Sequence, residues 1–366
     1  MNGRSLPTIA MVAPTLNILG GQAVQAKLLA EQLRGQGYDV QFVPIDPPFP
    51  HGIRWLKRAR FVRTVANELL YVPSLTKLRH ADIVHVYSAS YWSFLLAPLP
   101  AMLMARRLGK PVLLNYHSGE AADHLGRWGS LIHPWLRMAD EIVVPSKYLQ
   151  GVFAAHGYRA RVIYNTIDTS RFRYRPRSPL RPQFLSVRNL EAHYGVEQTL
   201  IAYALLKTTF PEATLTVAGI GSQERDLRQL CQALGLTDVH FLGRVEPEAM
   251  PALYDSADIF LNSSYIDNQP LSLLEAMASG MPIVTTGVGD IANMMGEGAY
   301  GSLVQTGDPA AMAKAATVLL EQPERALLMA QRARQALGQY AWPSVSAQWA
   351  QVYEELQRRP HVRHAA

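Results

Sequence analysis

The stretch TIAMVAP, residues 8–14, is followed by QAVQAKLLAEQLRGQG at 22–37 and by YDVQFVPI at 38–45. The first and last segments are short and rich in β-forming residues, whereas the middle segment has a helical pattern. A strand, a helix and a second strand in this order form the βαβ unit of a parallel sheet. The start of the chain therefore predicts an α/β fold.

The same alternation resumes after residue 180, where short β-rich runs are interspersed with helical patterns at about 197–208 and 223–234. The two blocks are separated by TSRFRYRPRSPLRPQ, residues 169–183, which is rich in Arg and Pro and lacks periodicity, as is typical of a linker. We predict two Rossmann-like, doubly wound parallel-sheet domains, at residues 1–172 and 173–340.

Three of the predicted strands end in small hydroxyl residues: ADIVHVYS at 81–88, ADEIVVPS at 139–146 and ADIFLNSS at 257–264. Doubly wound sheets bind their ligands at the carboxyl ends of the strands. These strand ends are therefore candidate positions for ligand-binding side chains.

The composition limits the class of protein. A chain of 366 residues that is 48% hydrophobic and 17% charged fits more than one folded domain and excludes disorder. The single cysteine, Cys231, excludes a disulfide framework and a cysteine metal cluster, and it fits a reducing compartment. The longest apolar run, SFLLAPLPAMLMA at 93–105, is shorter than a bilayer span. We therefore expect a cytoplasmic protein without a transmembrane helix.

Residues 1–172 carry an excess of Lys and Arg, whereas the rest of the chain is slightly acidic. Much of the excess lies in residues 54–63, where apolar side chains alternate with Arg54, Lys57, Arg58, Arg60 and Arg63. Basic amphipathic segments bind anionic lipid surfaces, which predicts peripheral attachment to the inner face of the membrane. The alternative to membrane attachment is an ordinary solvated face, on which the arginine side chains cover a small apolar stripe. We expect no nucleic-acid partner, because no zinc-ligand spacing or stacking motif occurs.

The stretch DNQPLSLLEAMASG, residues 267–280, places two carboxylates around the start of a helix. Pro270 fits the first helical turn, with Asn268 or Gln269 as the cap. The free amides of this turn, which form a potential anion site, belong to Leu271, Ser272 and Leu273. Asp267 and Glu275 would accept hydrogen bonds from hydroxyl groups beside that anion. The stretch indicates a nucleotide or a sugar phosphate, and an ordinary helix start with acids favoured by the dipole is the alternative.

Several segments of the second domain, taken together, resemble a retaining family 4 glycosyltransferase with the GT-B fold. These segments are SVRNLEAHYGVEQTLIAYALL at 186–206, ATLTVAGIGSQERDLRQL at 213–230, VHFLGRV at 239–245, MPALYDSADIFLNSS at 250–264 and DNQPLSLLEAMASGMPIVTT at 267–286. The resemblance extends over nearly the whole chain and implies two Rossmann-like domains that face each other across a cleft. The closing segment, residues 341–366, resembles the family's final helix, which returns to the first domain.

The resemblance implies roles for individual residues of the second domain. Asp267 binds hydroxyls of the donor sugar, Glu275 binds the ribose, and the helix amides together with Arg188 hold the diphosphate. Gly243 and Arg244 match the place where the main chain reads the base, and Gly219, in VAGIGS, is a further candidate nucleotide-binding residue. No cofactor is implied, because the nucleotide sugar is a substrate.

Three residues of the first domain carry over in the same way. Gly20 and Gly21, in NILGGQAVQ, match the family's glycine loop, where the backbone approaches the donor closely. His117, in LLNYHSGE, matches the cleft histidine near the donor sugar, and Glu120 lies on the same loop.

Two positions depart from the family pattern. Asp267 stands where glutamate is usual, which shortens the reach of the carboxylate toward the sugar by one methylene. Tyr194 stands where the family has a lysine, so a cation is missing beside the diphosphate. His193 and Arg244 are the nearest substitute cations in the sequence.

Other functional classes fit the sequence less well. An NAD-dependent oxidoreductase would use VAGIGS as its dinucleotide loop, but Glu224 stands in place of the third glycine. A pyridoxal-dependent phosphorylase would need a suitable lysine, and only Lys207 and Lys314 follow residue 172. A metal-dependent GT-A transferase would need an Asp-x-Asp pair on a strand end, which is absent, so we expect no metal site. A GT-B subunit that binds a nucleotide sugar without turning it over remains a rival.

We therefore predict transfer of a sugar from a nucleotide-activated donor to a hydroxyl acceptor. The resemblance alone implies retention of the anomeric configuration. The basic first domain is expected to hold the acceptor, which is a glycan, a membrane lipid or lipid-linked glycan, or a small molecule.

Overall fold

The computed structural model describes residues 6–18, 20–52, 55 and 60–359. The chain divides into two compact units, an N-terminal unit of residues 1–166 with 342–366 and a C-terminal unit of residues 167–341. Residues 167–172, which the sequence placed in the first domain, belong to the C-terminal unit. The reason is local packing, because Ile167 N donates to Tyr340 O at 3.1 Å and the Phe172 ring packs on Tyr254 at 5.8 Å.

The N-terminal unit contains a parallel sheet of six strands in the order β2-β1-β3-β4-β5-β6. The strands are β1 (Ile9–Ala13), β2 (Val40–Pro44), β3 (Ile83–Ser88), β4 (Val112–Tyr116), β5 (Glu141–Val144) and β6 (Arg161–Val162). Strands β1, β3 and β4 are buried along their whole length, as expected for a sheet covered on both faces. The strand order changes direction between β1 and β3.

The C-terminal unit contains a second parallel sheet of six strands, in the order β12-β11-β10-β7-β8-β9. The strands are β7 (Gln183–Val187), β8 (Thr214–Ala218), β9 (Val239–Gly243), β10 (Ile259–Asn262), β11 (Ile283–Thr286) and β12 (Ser302–Val304). This is the doubly wound dinucleotide-fold order, with the change of direction between β7 and β10. The predicted α/β class with two doubly wound sheets is confirmed.

Helices are numbered along the chain. Those that connect strands of the N-terminal unit are α1 (Gly21–Gly35), α2 (Arg60–Ser74), α3 (Trp92–Leu96), α4 (Pro98–Arg107), α5 (Ala121–Arg127), α6 (Gly129–Leu136) and α7 (Lys147–Ala155). Those of the C-terminal unit are α8 (Val196–Thr209), α9 (Glu224–Ala233), α10 (Met250–Ser256), α11 (Leu271–Ser279), α12 (Ile291–Met294), α13 (Pro309–Glu321) and α14 (Pro323–Ala336). Among the described residues, no helix has the length and apolar character needed to cross a membrane.

The last helix, α15 (Trp342–Arg358), belongs to the N-terminal unit. Its buried face packs with α1 and with residues of β1, β3 and β4 in one apolar cluster. Within that cluster the Tyr353 hydroxyl forms a 2.9 Å hydrogen bond with Nδ1 of His85. The helix thereby covers one face of the N-terminal sheet.

Candidate active site

The candidate site of the C-terminal unit lies at the carboxyl ends of β7 and β10, where the strand order changes direction. Arg188 directly follows β7, and Asn262 is the last residue of β10. Loops that leave adjacent parallel strands on opposite sides open a crevice between them, and ligands bind there. The fold thus places the predicted diphosphate-binding arginine at the position where this class of sheet binds nucleotides.

The Arg188 side chain is held by two groups. Its Nε donates to Oδ1 of Asn262 at 2.8 Å, and its Nη2 lies 2.5 Å from Oδ2 of Asp267. The side chains of the ion pair are only 10% and 13% exposed, for Arg188 and Asp267 respectively. The guanidinium is therefore paired with the carboxylate that we predicted to bind the donor sugar.

Small polar side chains hold Asn262, and with it the Arg188–Asp267 pair, through hydrogen bonds. Ser264 Oγ donates to Asn262 Oδ1 at 2.9 Å, and Asn262 Nδ2 donates to Thr285 Oγ1 at 2.9 Å. Thr286 Oγ1 in turn donates to the Ser264 carbonyl at 2.7 Å, which connects the loop after β10 with the end of β11. Sequence reasoning did not name these residues individually, although the small polar ending of ADIFLNSS marked this strand end.

Tyr194 packs against the arginine instead of adding a second charge. The guanidinium carbon of Arg188 lies 5.2 Å from the centre of the Tyr194 ring, within the range of a cation–π contact. The His193 ring packs on the same ring in a tilted arrangement, with a centroid distance of 4.2 Å. Arg244, the other substitute cation, pairs with Glu246 at 2.6 Å.

Helix α11 begins one residue later than predicted. Pro270 is the residue that precedes the helix, with φ −68° and ψ 123°. It occupies the cap position, so the predicted cap by Asn268 or Gln269 is wrong. The Leu273 amide donates to the Pro270 carbonyl at 3.2 Å, so it is not a free anion donor. The amides of Leu271 and Ser272 remain as first-turn donors that lack partners inside the helix.

Ser272 adds a side-chain donor to this helix start. Its Oγ is buried and has no hydrogen-bond partner among the described residues. A buried hydroxyl without a partner has a free-energy cost that a bound ligand removes. The first turn of α11 therefore presents two amides and a hydroxyl.

Glu275 lies one turn into α11, where removal from water raises the pKa of its carboxyl to about 7. Contacts with Tyr254 and the charges of Arg171 and Arg188 oppose that rise. Tyr254 also donates to the Ser272 carbonyl at 3.1 Å, which links the acid to the helix start. Arg171 was missed by sequence reasoning, since nothing in the linker composition shows where its side chains lie.

Two glycines allow the strand-end loops to approach each other. A Cβ on Gly219, which has φ +143°, would lie 1.8 Å from the carbonyl oxygen of Arg188. The Gly219 amide donates to the carbonyl of Gly243, which has φ +68°, at 2.8 Å. Both glycines therefore support the Arg188 loop through their backbones.

The predicted residues of the N-terminal unit lie at the corresponding edge of its own sheet. Gly20 precedes α1 and Gly21 begins it, and the side chain of Gln22 donates to the Ser88 carbonyl at 2.9 Å, at the end of β3. His117 follows β4, and its ring stacks on Tyr87 at 5.1 Å. Burial lowers the pKa of His117 to about 3, which keeps the imidazole neutral. Its Nε2 has no hydrogen-bond partner among the residues that the structure describes.

The described residues include only part of the predicted basic segment, residues 54–63. Arg54, Lys57, Arg58 and the side chain of Arg60 lie outside the described residues. Arg63 is described and exposed.

Comparison with known proteins identifies the family. The model of "Glycosyltransferase Family 4" matches residues 19–171, and that of "Glycosyl transferases group 1" matches residues 170–336. Glycogen synthase of Mycobacterium tuberculosis is 30% identical over 294 residues, which are 76% of this chain and 69% of the relative. Phosphatidyl-myo-inositol mannosyltransferase of Mycolicibacterium smegmatis is 25% identical, with coverage of 95% and 94%.

The fold is shared with solved glycosyltransferase structures of the GT-B class. The structure of Anabaena HepE in complex with UDP-glucose aligns with a TM-score of 0.75 at 17% identity and covers 95% of this chain and 100% of that chain. The family models, the relatives and the two doubly wound sheets agree. The chain belongs to the family 4 glycosyltransferases and is an enzyme of the GT-B fold that transfers glycosyl groups.

Proposed function

We propose that this enzyme transfers a sugar from a nucleoside-diphosphate donor to a hydroxyl acceptor, with retention of configuration and without a metal ion. The observation that carries the proposal is the Arg188 guanidinium at the change of direction in the C-terminal sheet, paired with Asp267 at 2.5 Å. The UDP-glucose bound in the HepE structure supports the donor class.

The diphosphate would meet two kinds of donor. Arg188 presents a permanently charged fork, and the amides of Leu271 and Ser272 lie at the positive end of the α11 dipole. Negative charge grows on the diphosphate as the bond to the sugar breaks, so donors fixed in advance stabilise the transition state more than the ground state. This arrangement handles the charge of the leaving group with side chains and amides, which is why we propose a metal-independent reaction.

Asp267 has two successive partners in this account. In the structure its Oδ2 pairs with the Arg188 guanidinium at 2.5 Å, and the Asn268 amide donates to its other oxygen at 2.8 Å. A diphosphate attracts the guanidinium and repels the carboxylate, which then accepts hydrogen bonds from donor-sugar hydroxyls. Glu275, once ionised, accepts hydrogen bonds from the ribose.

His117 supplies a neutral contact. Because burial lowers its pKa to about 3, the imidazole carries no charge near neutral pH. An uncharged ring can exchange hydrogen bonds with a sugar hydroxyl without opposing the positive charge that develops on the sugar ring. We propose that its unpartnered Nε2 makes this contact.

The acceptor is proposed to be a membrane lipid or lipid-linked glycan, reached from the inner face of the membrane. Helix α2 exposes apolar side chains at the spacing of one helical face: Phe61, Val65, Leu69 and Val72. Phe61 is 86% exposed and Leu69 is 71% exposed. An apolar stripe beside basic residues is suited to the boundary between anionic head groups and acyl chains. The mannosyltransferase relative is named for a phosphatidyl-myo-inositol substrate.

A thermal-shift screen against nucleoside diphosphates, nucleotide sugars and NAD tests the donor class. Ligand at about 100 times its dissociation constant adds roughly 2.7 kcal/mol of stability, which gives a clear shift. We expect a nucleotide sugar to stabilise the protein, and stabilisation by NAD alone would overturn the proposal. Turnover of that donor, product anomers identified by NMR and an EDTA control then test catalysis, retention and metal independence.

A further inference from the structure

The loop that follows β3 lies at the change of direction in the N-terminal sheet, between β1 and β3. The Ser88 carbonyl at its start accepts hydrogen bonds from the Gln22 side chain at 2.9 Å and from the His117 amide at 3.3 Å. The ends of β3 and β4 and the first turn of α1 therefore meet here. In a doubly wound sheet this is the expected position of a ligand crevice.

The backbone of this loop is strained. Tyr91 has φ 56° and ψ −132°, a conformation that a residue with a side chain rarely adopts. Such strain persists only where surrounding contacts enforce it, and it clusters at ligand sites. The contacts are present, since the Tyr91 hydroxyl donates to the Asp123 carboxylate and the ring packs on Trp128 at 5.5 Å and on His124 at 5.1 Å.

Trp92, which follows the strained Tyr91, is exposed to solvent. Trp92 begins α3 and is 67% exposed, although it is among the largest apolar side chains. Its ring meets Trp128 nearly at a right angle, 89°, with a centroid distance of 5.3 Å. Trp128 is in turn fixed by Tyr91 and His124, so the exposed indole has a rigid base. The loop thus holds a large aromatic surface at the ligand edge of the sheet.

Polar groups lie beside this aromatic surface. Arg127 pairs with Asp123 at 2.7 Å, and the Arg127 side chain is 77% exposed. Burial and Asp123 raise the pKa of the Tyr91 hydroxyl to about 12, and the charge of nearby Glu120 adds to that rise. An aromatic face bordered by carboxylates and a guanidinium matches a pyranose ring, which has C–H groups on its faces and hydroxyl groups around its edge.

We propose that Trp92 and Trp128 form a platform on which a pyranose ring of the acceptor stacks, beside the loop that carries His117. The inference rests on the proposed function and specifies it, because it makes the acceptor a glycoside whose recognised part is a sugar ring. The carboxylates of Asp123 and Glu120 favour a neutral sugar over an anionic lipid head group at this surface.

Titration of the protein with methyl pyranosides, followed by tryptophan fluorescence and by the indole N–H signals in NMR, tests the platform. The panel contains methyl glucoside, galactoside, mannoside and N-acetylglucosaminide, with glycerol as a polyol that has no ring. The variants are Trp92→Ala, Trp92→Tyr and the control Trp55→Ala, which removes a side chain that is equally exposed at 67%.

We expect at least one glycoside to bind saturably, with affinity reduced on the order of ten-fold by Trp92→Ala and largely kept by Trp92→Tyr and Trp55→Ala. The thermal shift by the nucleotide sugar should be unchanged in all variants. Equal glycoside affinity in Trp92→Ala, no saturable glycoside binding by the wild type, or an effect of Trp92→Ala confined to vesicle binding would overturn the platform. If no nucleotide sugar raised the melting temperature of the wild type, the proposed function would be overturned instead. The two failures can therefore be told apart.

Discussion

At the scale of single residues, Arg188 is the side chain on which the proposed chemistry depends most. Its guanidinium is fixed by Asn262 and Asp267, and the family's second cation is replaced by the Tyr194 ring. We expect Arg188→Ala to cost about 2–4 kcal/mol in transition-state stabilisation, mostly in kcat, because the charge on the diphosphate grows during the reaction. Steady-state kinetics measure this, with Arg325→Ala as control, since Arg325 is an exposed arginine on α14 of the same unit. A harmless Arg188→Ala would show that the diphosphate binds elsewhere.

Tyr194 is expected to position Arg188 through its ring and not through its hydroxyl. Tyr194→Phe should therefore keep kcat near the wild-type value. Tyr194→Leu should lower kcat about 2- to 30-fold, which corresponds to the 0.5–2 kcal/mol of a cation–π contact. Tyr194→Lys removes the ring but adds a cation beside the diphosphate, so its kcat should lie above that of Tyr194→Leu. If Phe and Leu reduced kcat equally, the hydroxyl would be the important group.

The raised pKa of Glu275 predicts a pH dependence of donor binding. Between about pH 4.5 and 7 the folded protein keeps this proton while the unfolded chain has released it, so this group lowers folding stability as pH rises through that window. Ribose hydroxyls donate to the carboxylate form, so nucleotide affinity should increase as pH rises through about 7. Isothermal titration of wild type and Glu275→Gln at several pH values measures this. The variant should bind more weakly and without that rise, and an identical pH profile would contradict the assignment.

At the scale of elements, α11 shows which features of a helix the local sequence predicts and which features depend on the rest of the fold. The stretch 267–280 correctly predicted a helix with one acid just before it and one acid a turn inside it, because proline and the apolar pattern are local signals. The stretch did not predict the hydrogen bond from the Leu273 amide to the Pro270 carbonyl, since that bond depends on the geometry of the first turn. The Arg188–Asp267 pair was also beyond local reading, because it requires β7 and β10 to be neighbours.

The exposed face of α2 predicts membrane binding that combines insertion with charge. The protein should bind vesicles with anionic lipid, and binding should weaken as salt is raised. Phe61→Ser with Leu69→Ser should reduce vesicle binding at least about ten-fold, because burial of such side chains contributes roughly 1.5–3 kcal/mol each. Co-sedimentation measures this, with the exposed Leu131→Ser as control. Equal binding to neutral vesicles, or none to either, would remove the membrane proposal.

At the scale of the whole molecule, the sequence predicted the class of fold better than its connectivity. Alternation of β-rich runs and helical patterns is a repeated local signal, and it correctly indicated two doubly wound sheets. The strand orders could not be predicted from the sequence. Neighbouring strands such as β7 and β10 are far apart in the chain, with two other strands and several helices between them. The candidate site residues of the C-terminal unit were predicted mainly from family motifs, whereas the contacts of Asn262, Thr285 and Arg171 became visible only when the strands were placed.

The central claim is that Arg188 and the start of α11 hold the diphosphate of a nucleotide-sugar donor. The most direct test is isothermal titration of wild type and Arg188→Ala with the best donor from the screen, its nucleoside diphosphate and the bare nucleoside. We predict that Arg188→Ala weakens binding of the nucleoside diphosphate, which carries the charge released in the reaction, about ten-fold or more. Binding of the intact donor should weaken less, and nucleoside affinity should stay unchanged. Equal affinity of both proteins for the nucleoside diphosphate would contradict the account.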